Sequence, residues 1–140
     1  MIITIYNFLE AQLNELCNII SGCIASQVKL KHLNGLGIER ALLYLSKVAE
    51  FDLSRMGGEL SYIKGVNQLR NQIVHNGGYL PENPDHKLNK FISKTSTLSG
   101  SPGASVNLSS EFIGEFITTL MQFFERLDDE VQAFIQSANA

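Results

Sequence analysis

Apolar residues recur every three or four positions through most of this chain, and this spacing limits the fold more than any other feature. Because an α-helix turns once in about 3.6 residues, the spacing places apolar side chains on one helical face. The clearest run is a heptad-like seam near the C-terminus: Ile113, Ile117, Leu120, Phe124, Leu127, Val131 and Phe134. Three more phenylalanines widen it: Phe112, Phe116 and Phe123. We therefore expect a bundle helix that can also cover a subunit interface.

The same periodicity predicts an all-α protein, an antiparallel bundle of four main helices. These helices are expected at about 5–24, 38–50, 58–76 and 109–137. A short helix near 84–92 is indicated by Asn83 as N-cap and Pro84 at the first helical position. Ser109 is the expected N-cap of the last helix. Residues 93–107 are rich in Ser, Thr and Gly, so we expect a mobile loop or a frayed hairpin there.

Size and composition predict one domain over residues 1–140. The net charge of -3 argues against a surface coated with basic residues, so any RNA contact must be a local patch. No uninterrupted apolar run has the length needed to span a bilayer. The apolar start of the chain also lacks the basic region of a secretion signal. We expect a cytoplasmic protein without membrane contact.

The cysteines and histidines form no pattern that predicts a metal site or a cofactor. Cys17 and Cys23 lie six apart in a predicted helix, on different sides of it. His32, His75 and His86 are scattered, with no acidic pair at ligand spacing. Because a P-loop, an HExxH motif and a nucleophile elbow are also absent from the sequence, we expect neither a cofactor nor a metal.

The stretch from Leu69 to Gly78 gathers the residue types that can carry chemistry, and Gly77 is expected to end its helix. On a helical wheel Arg70 falls inside an apolar arc formed by Ile63, Val66, Ile73 and Val74. A buried, unpaired charge costs several kcal/mol. Arg70 therefore needs a carboxylate partner, a phosphate-like ligand, or an interface that stays wet until something binds.

Arg70 and Asn71, followed after three residues by His75, resemble the R-x(4–6)-H motif of the HEPN superfamily in its Arg-Asn-x-x-x-His form. The run from Gly37 to Ala41 also looks like prokaryotic HEPN-type proteins. The resemblance implies an endoribonuclease that acts on RNA as a homodimer, with the two motif helices facing each other in a shared cleft. It also implies a toxin or phage-defence effector, with an antitoxin protein as a partner.

Under this resemblance Arg70, Asn71 and His75 are the expected catalytic residues. An imidazole titrates near neutral pH, so His75 can take the proton of a ribose 2′-hydroxyl or protonate the leaving 5′-oxygen. Arg70 would hold the scissile phosphate with two hydrogen bonds and stabilise the charge of the transition state. Asn71 and Asn76 would orient the phosphate or the imidazole.

Three lysines after the motif are the candidate substrate-binding patch. Lys87, Lys90 and Lys94 have the spacing i, i+3, i+7, which places them on one side of a short helix. Such a row is either a solvated face or a patch that contacts phosphates in an otherwise acidic protein.

Helix geometry leaves three arrangements open for the motif. Five residues turn the helix by about 500° and advance it by about 7.5 Å, so Arg70 and His75 point about 140° apart. Either the last turn unwinds at Asn76 and Gly77, or the working pair combines two subunits, or His75 only interacts with the helix dipole.

Two functions remain open for the chain. The first is a metal-independent endoribonuclease that works by 2′-hydroxyl attack at a composite dimer interface. The second is a non-catalytic HEPN-like dimeric module that binds protein or nucleic acid.

Overall fold

The computed structural model describes residues 1–139, and within them it contains five α-helices and one small β-hairpin. The helices are α1 (Ile2–Cys23), α2 (Gly37–Lys47), α3 (Gly57–Asn76), α4 (Lys87–Lys94) and α5 (Ser110–Ala138). Short 3-10 turns lie at Leu30–His32 and Ser54–Met56. Strands β1 (Leu98–Ser99) and β2 (Asn107–Leu108) pair antiparallel. The predicted all-α class is confirmed, with a hairpin in the segment that was expected to be a loop or a hairpin.

The ends of two helices test the predicted caps. The side-chain oxygen of Ser109 accepts a hydrogen bond from the Phe112 amide at 3.1 Å, which confirms Ser109 as the N-cap of α5. Helix α4 begins at Lys87, and its N-cap is His86, so the predicted cap at Asn83 is wrong. Asn83 instead closes a turn, because its side-chain oxygen accepts from the Asp85 amide at 2.9 Å.

The chain forms two compact units. Unit 1 comprises Met1–Ile2 and Met56–Glu125, and unit 2 comprises Ile3–Arg55 and the chain from Arg126 onward. Helices α3 and α4, the hairpin and the first part of α5 belong to unit 1, which therefore holds every residue of the predicted site. The expectation of one domain stays a prediction. None of the helices within residues 1–139 is both long and apolar enough to cross a membrane.

In unit 2, helices α1 and α2 meet through buried faces. The buried stripe of α1 consists of Tyr6, Leu9, Leu13, Cys17 and Ile20. The sulfur of Cys17 lies 3.5 Å from the carbonyl oxygen of Ala41 in α2. Burial raises the pKa of this thiol to about 11, which keeps Cys17 protonated and apolar in the core.

In unit 1, the buried face of α5 differs from the predicted heptad seam. The side chains that turn inward are Phe112, Phe116, Leu120 and Phe123. Ile117, a member of the seam, is 43% exposed, and Ile113 and Phe124 are half-buried. The predicted burial is therefore wrong at Ile117 within one chain, and the expected role of the helix at a subunit interface stays a prediction. A phenylalanine ring removes more apolar surface from water than an isoleucine side chain does, so the helix is rotated to bury its rings.

The connection after α3 is fixed to the hairpin segment by main-chain hydrogen bonds. The Val106 amide donates to the Gly78 carbonyl at 2.9 Å. The Leu80 amide donates to the Ala104 carbonyl at 2.8 Å. The buried side chain of Asn89 in α4 donates to two carbonyls of the same connection, at 2.8 and 2.7 Å. These bonds set the position at which α4 begins relative to the end of α3.

Candidate functional site

Helix α3 carries the whole predicted motif and runs without a break to Asn76. Gly77 caps it in the left-handed conformation at φ 64°, and its amide donates to the Gln72 carbonyl. The prediction that Gly77 ends the helix is confirmed. Because the last turn stays helical, the arrangement in which it unwinds to bring Arg70 to His75 is wrong.

Arg70 is half-buried, and its Nη1 donates a hydrogen bond to the side-chain oxygen of Asn71 at 3.3 Å. The apolar arc around it is only partly buried. Ile63 and Val66 are buried as expected, but Val74, one turn beyond Arg70, is 51% exposed. The guanidinium therefore lies at the edge of the core, with its Nε shielded from solvent.

Within one chain, Arg70 and His75 do not share a face. A regular helix turns about 140° and rises about 7.5 Å between them. The pairing of two subunits and the dipole role of His75 both stay predictions.

His75 differs from the other two histidines in its hydrogen bonding. Nδ1 of His32 accepts from the Lys29 amide at 2.9 Å, and Nδ1 of His86 accepts from the Leu88 amide at 3.1 Å. The exposed side chain of His75 makes no hydrogen bond to any part of residues 1–139. Its two ring nitrogens are thus open to solvent or to a bound molecule.

Asn76 is the last residue of α3 and is exposed. Its carbonyl accepts from the Tyr79 amide at 3.2 Å. Nε2 of Gln72 donates to the Tyr79 carbonyl, so Gln72 also holds the turn that follows the helix. These contacts fix the backbone beside His75, while the Asn76 side chain stays at the surface.

The predicted lysine patch lines a groove between α3 and α4 together with a fourth lysine. The groove has a volume of about 330 Å³ and is lined by Ser61, Lys64, Gly65, Gln68, Lys87, Lys90, Phe91 and Lys94. All four lysines are exposed, and none makes an ion pair with the rest of the described chain. That three of them share one side of α4 is confirmed; their contact with phosphates stays a prediction.

Sequence reasoning missed Lys64, although a signal for it exists. Counted around a regular helix, Lys64, Gln68, Asn71 and His75 fall within about 60° of one another. We call this row the polar stripe of α3. It runs from the lysine groove to the end of the helix, so the groove and His75 share one face of α3. The spacing was visible in the sequence, but nothing there indicated that α4 packs beside this face.

Helix α4 can lie close to α3 because Gly65 has no side chain. A Cβ on Gly65 would lie 2.3 Å from Cδ1 and 2.6 Å from Cγ of Phe91, which is far inside van der Waals contact. The Phe91 ring also packs edge-on against Tyr62, with centroids 5.6 Å apart at 74°. This close approach brings the lysines of α4 to the face that carries Lys64.

Replacing Gly65 with alanine is expected to lower the free energy of unfolding by about 2 kcal/mol. The new methyl group must displace the Phe91 ring, an overpacking cost of about 3 kcal/mol, and better helix propensity recovers about 1 kcal/mol. Gly114→Ala in α5 is the matched control, because no atom lies within 4 Å of its Cβ position. It should gain about 0.5–1 kcal/mol. Urea unfolding, monitored by circular dichroism, gives the free energy of unfolding of the two variants. Equal values for Gly65→Ala and Gly114→Ala would contradict the close packing of Phe91 on Gly65.

A polar cluster next to Phe91 ties α3 to α5. Oε2 of Glu115 accepts hydrogen bonds from Tyr62 Oη and from Thr97 Oγ1, both at 2.8 Å. Burial, and then the hydrogen bond and charge of Glu115, raise the pKa of Tyr62. The phenol therefore stays protonated as a donor, and we assign the cluster a structural role.

No three His, Cys, Asp or Glu side chains within residues 1–139 are grouped so that they could hold a metal ion. Comparison with protein-family models, with curated proteins and with solved structures found no match to this chain. A functional assignment therefore depends on the geometry of α3 and α4 and on the motif itself.

Proposed function

We propose that this chain is a metal-independent endoribonuclease of the HEPN type, which cleaves RNA at a site built by two copies of the chain. The observation that carries the proposal is the polar stripe of α3, where His75 is exposed, makes no hydrogen bond within residues 1–139 and shares a face with Lys64 and Asn71. An exposed imidazole on the same helical face as a cationic groove about 16 Å away suits general-base cleavage of an RNA strand that spans both. In the cell the protein would act as a toxin or phage-defence effector, restrained by an antitoxin protein.

The proposed reaction is an internal transfer within the RNA. His75 takes the proton of a ribose 2′-hydroxyl, and the 2′-oxygen bonds to the neighbouring phosphorus. The bond from phosphorus to the 5′-oxygen breaks, the leaving oxygen takes a proton from a water molecule, and the imidazolium of His75 returns its proton to the resulting hydroxide. Arg70 donates two hydrogen bonds to the phosphate oxygens as their charge grows, and Asn71 and Asn76 orient the phosphate or the ring. The products carry a 2′,3′-cyclic phosphate and a 5′-hydroxyl.

A second copy is needed because of the helix geometry. Arg70 lies at the edge of the unit 1 core and His75 on the polar stripe, about 140° around the same helix. A two-fold axis between two α3 helices would place Arg70 of one copy opposite His75 of the other, giving two equivalent sites per dimer.

The alternative is a HEPN-like dimeric module that binds protein or nucleic acid without cutting it. One observation favours it: Arg70 already donates to Asn71, and the exposed Val74 lies one turn away on the same side of α3. A cation with a fixed neighbour and an apolar side chain beside it also suits a protein contact.

Incubation of the purified full chain with RNA in EDTA separates the two functions. The endoribonuclease is expected to yield fragments that end in a 2′,3′-cyclic phosphate, which end-group analysis by mass spectrometry identifies. Chelation should leave the rate unchanged, because no step uses a metal ion. RNA that stays intact in both the presence and the absence of EDTA would support the binding module.

A further inference from the structure

The positive charge of unit 1 is concentrated in one place. Residues 56–125 contain four lysines and one arginine, and all four lysines line the groove between α3 and α4. No carboxylate belongs to the described lining of this groove, although the whole chain has a net charge of -3. Like charges brought together without counter-charges repel each other, so a bound polyanion would relieve this repulsion.

The spread of the charges favours an extended anion over a single phosphate. Lys87, Lys90 and Lys94 follow one another along about 10 Å of α4, with Lys64 across the groove on α3. Phosphates of one nucleic-acid strand succeed each other every few ångströms, so about three of them fit this length.

Two uncharged side chains add features that a nucleotide can use. Phe91 is half-buried in the groove, and the half-buried Gln68 has a buried side-chain oxygen without a hydrogen-bond partner in the described chain. An aromatic ring stacks with bases of any sequence, and an amide can turn to offer either a donor or an acceptor. A cationic groove with an aromatic platform is the usual way in which single strands are held.

We infer that the groove between α3 and α4 binds a single-stranded RNA segment, with its phosphates on Lys64, Lys87, Lys90 and Lys94 and one base on Phe91. The identity of the strand as RNA rests on the proposed function. Because Asn71 and His75 continue the face of α3 that carries Lys64, the bound strand extends along α3 towards His75, about 16 Å further on.

Fluorescence anisotropy with a labelled 2′-O-methyl RNA of about twelve nucleotides tests this inference, since such a strand cannot be cleaved through its 2′-oxygen. The double variant Lys64→Gln/Lys90→Gln is expected to raise Kd about tenfold or more at moderate salt. It should also reduce the slope of log K against log salt by about 1.4, or about 0.7 for each lost phosphate contact. The control Lys31→Gln/Lys47→Gln, which removes two exposed lysines of unit 2, should change neither quantity.

A separate variant tests the contact between a base of the strand and the ring of Phe91. Phe91→Leu keeps an apolar side chain in the groove but removes the ring, so Kd should rise about fivefold or more while the salt slope stays the same. Circular dichroism confirms that each variant is folded. Because the ring also packs against Gly65 and Tyr62, Gly65→Ala, which disturbs the same packing but keeps the ring, is the control and should raise Kd less than Phe91→Leu.

Three results would overturn the inference. One is wild-type affinity and salt slope in the Lys64/Lys90 variant. Another is displacement of the RNA by inorganic tripolyphosphate at equal phosphate concentration, which would mark a site for free polyphosphate. The third is stronger displacement by a polyglutamate peptide, which would mark a site for an acidic protein. Binding of the methylated strand without cleavage of ordinary RNA would support the groove and contradict the endoribonuclease.

Discussion

Replacing His75 with alanine is expected to slow RNA cleavage by about 10²- to 10⁴-fold, the usual contribution of a general base. The ring is exposed and makes no hydrogen bond to the described part of the chain, so its removal should leave the folded state intact. His32→Ala is the control, because His32 lies in unit 2 and its Nδ1 serves a local turn. The rate of appearance of cyclic-phosphate ends measures both variants. Cleavage by the His75 variant at the wild-type rate would exclude the proposed role.

Mixing two inactive variants tests whether the site is composite. A dimer of one Arg70→Ala copy and one His75→Ala copy keeps one complete site if each site takes one residue from each copy. After random exchange of subunits, about half of the dimers are mixed, so roughly a quarter of the wild-type activity should return. If each chain formed its own site, mixing would restore nothing.

Replacing Phe116 with alanine is expected to lower the free energy of unfolding by about 3–5 kcal/mol, a large part of the stability of a domain this size. The ring is fully buried and stacks with Phe112 at a centroid distance of 6.4 Å. Its neighbour in the sequence, Ile117, is the matched control. As the side chain is 43% exposed, Ile117→Ala should cost about 1 kcal/mol or less.

Urea unfolding of the Phe116 and Ile117 variants compares the two faces of α5 directly. The stripe read from the sequence includes both side chains and predicts a large loss at each, whereas the structure predicts a large loss at Phe116 alone. A loss at Ile117 as large as that at Phe116 would contradict the orientation of α5 in the structure.

Local features of the sequence determined the helices and several of their ends. The three-and-four spacing predicted every long helix, because it reflects the helical period itself. Ser109 and Gly77 were found as caps because their roles depend on the adjacent turn alone. The cap at Asn83 failed for the same reason, since Asn serves equally well in a turn and the next residues favoured the turn.

Some features of the candidate site were likewise predictable from the sequence, and others depended on the tertiary structure. Arg70, Asn71 and His75 stand close together in the chain, so a motif could identify them, and the spacing of Lys87, Lys90 and Lys94 predicted their shared side. Only tertiary structure decided that Lys64 faces those lysines and that Ile117, unlike Phe116, is left exposed. Periodicity fixes which residues share a helical face, but what lies against that face depends on contacts between distant parts of the chain, such as the approach of Phe91 to Gly65.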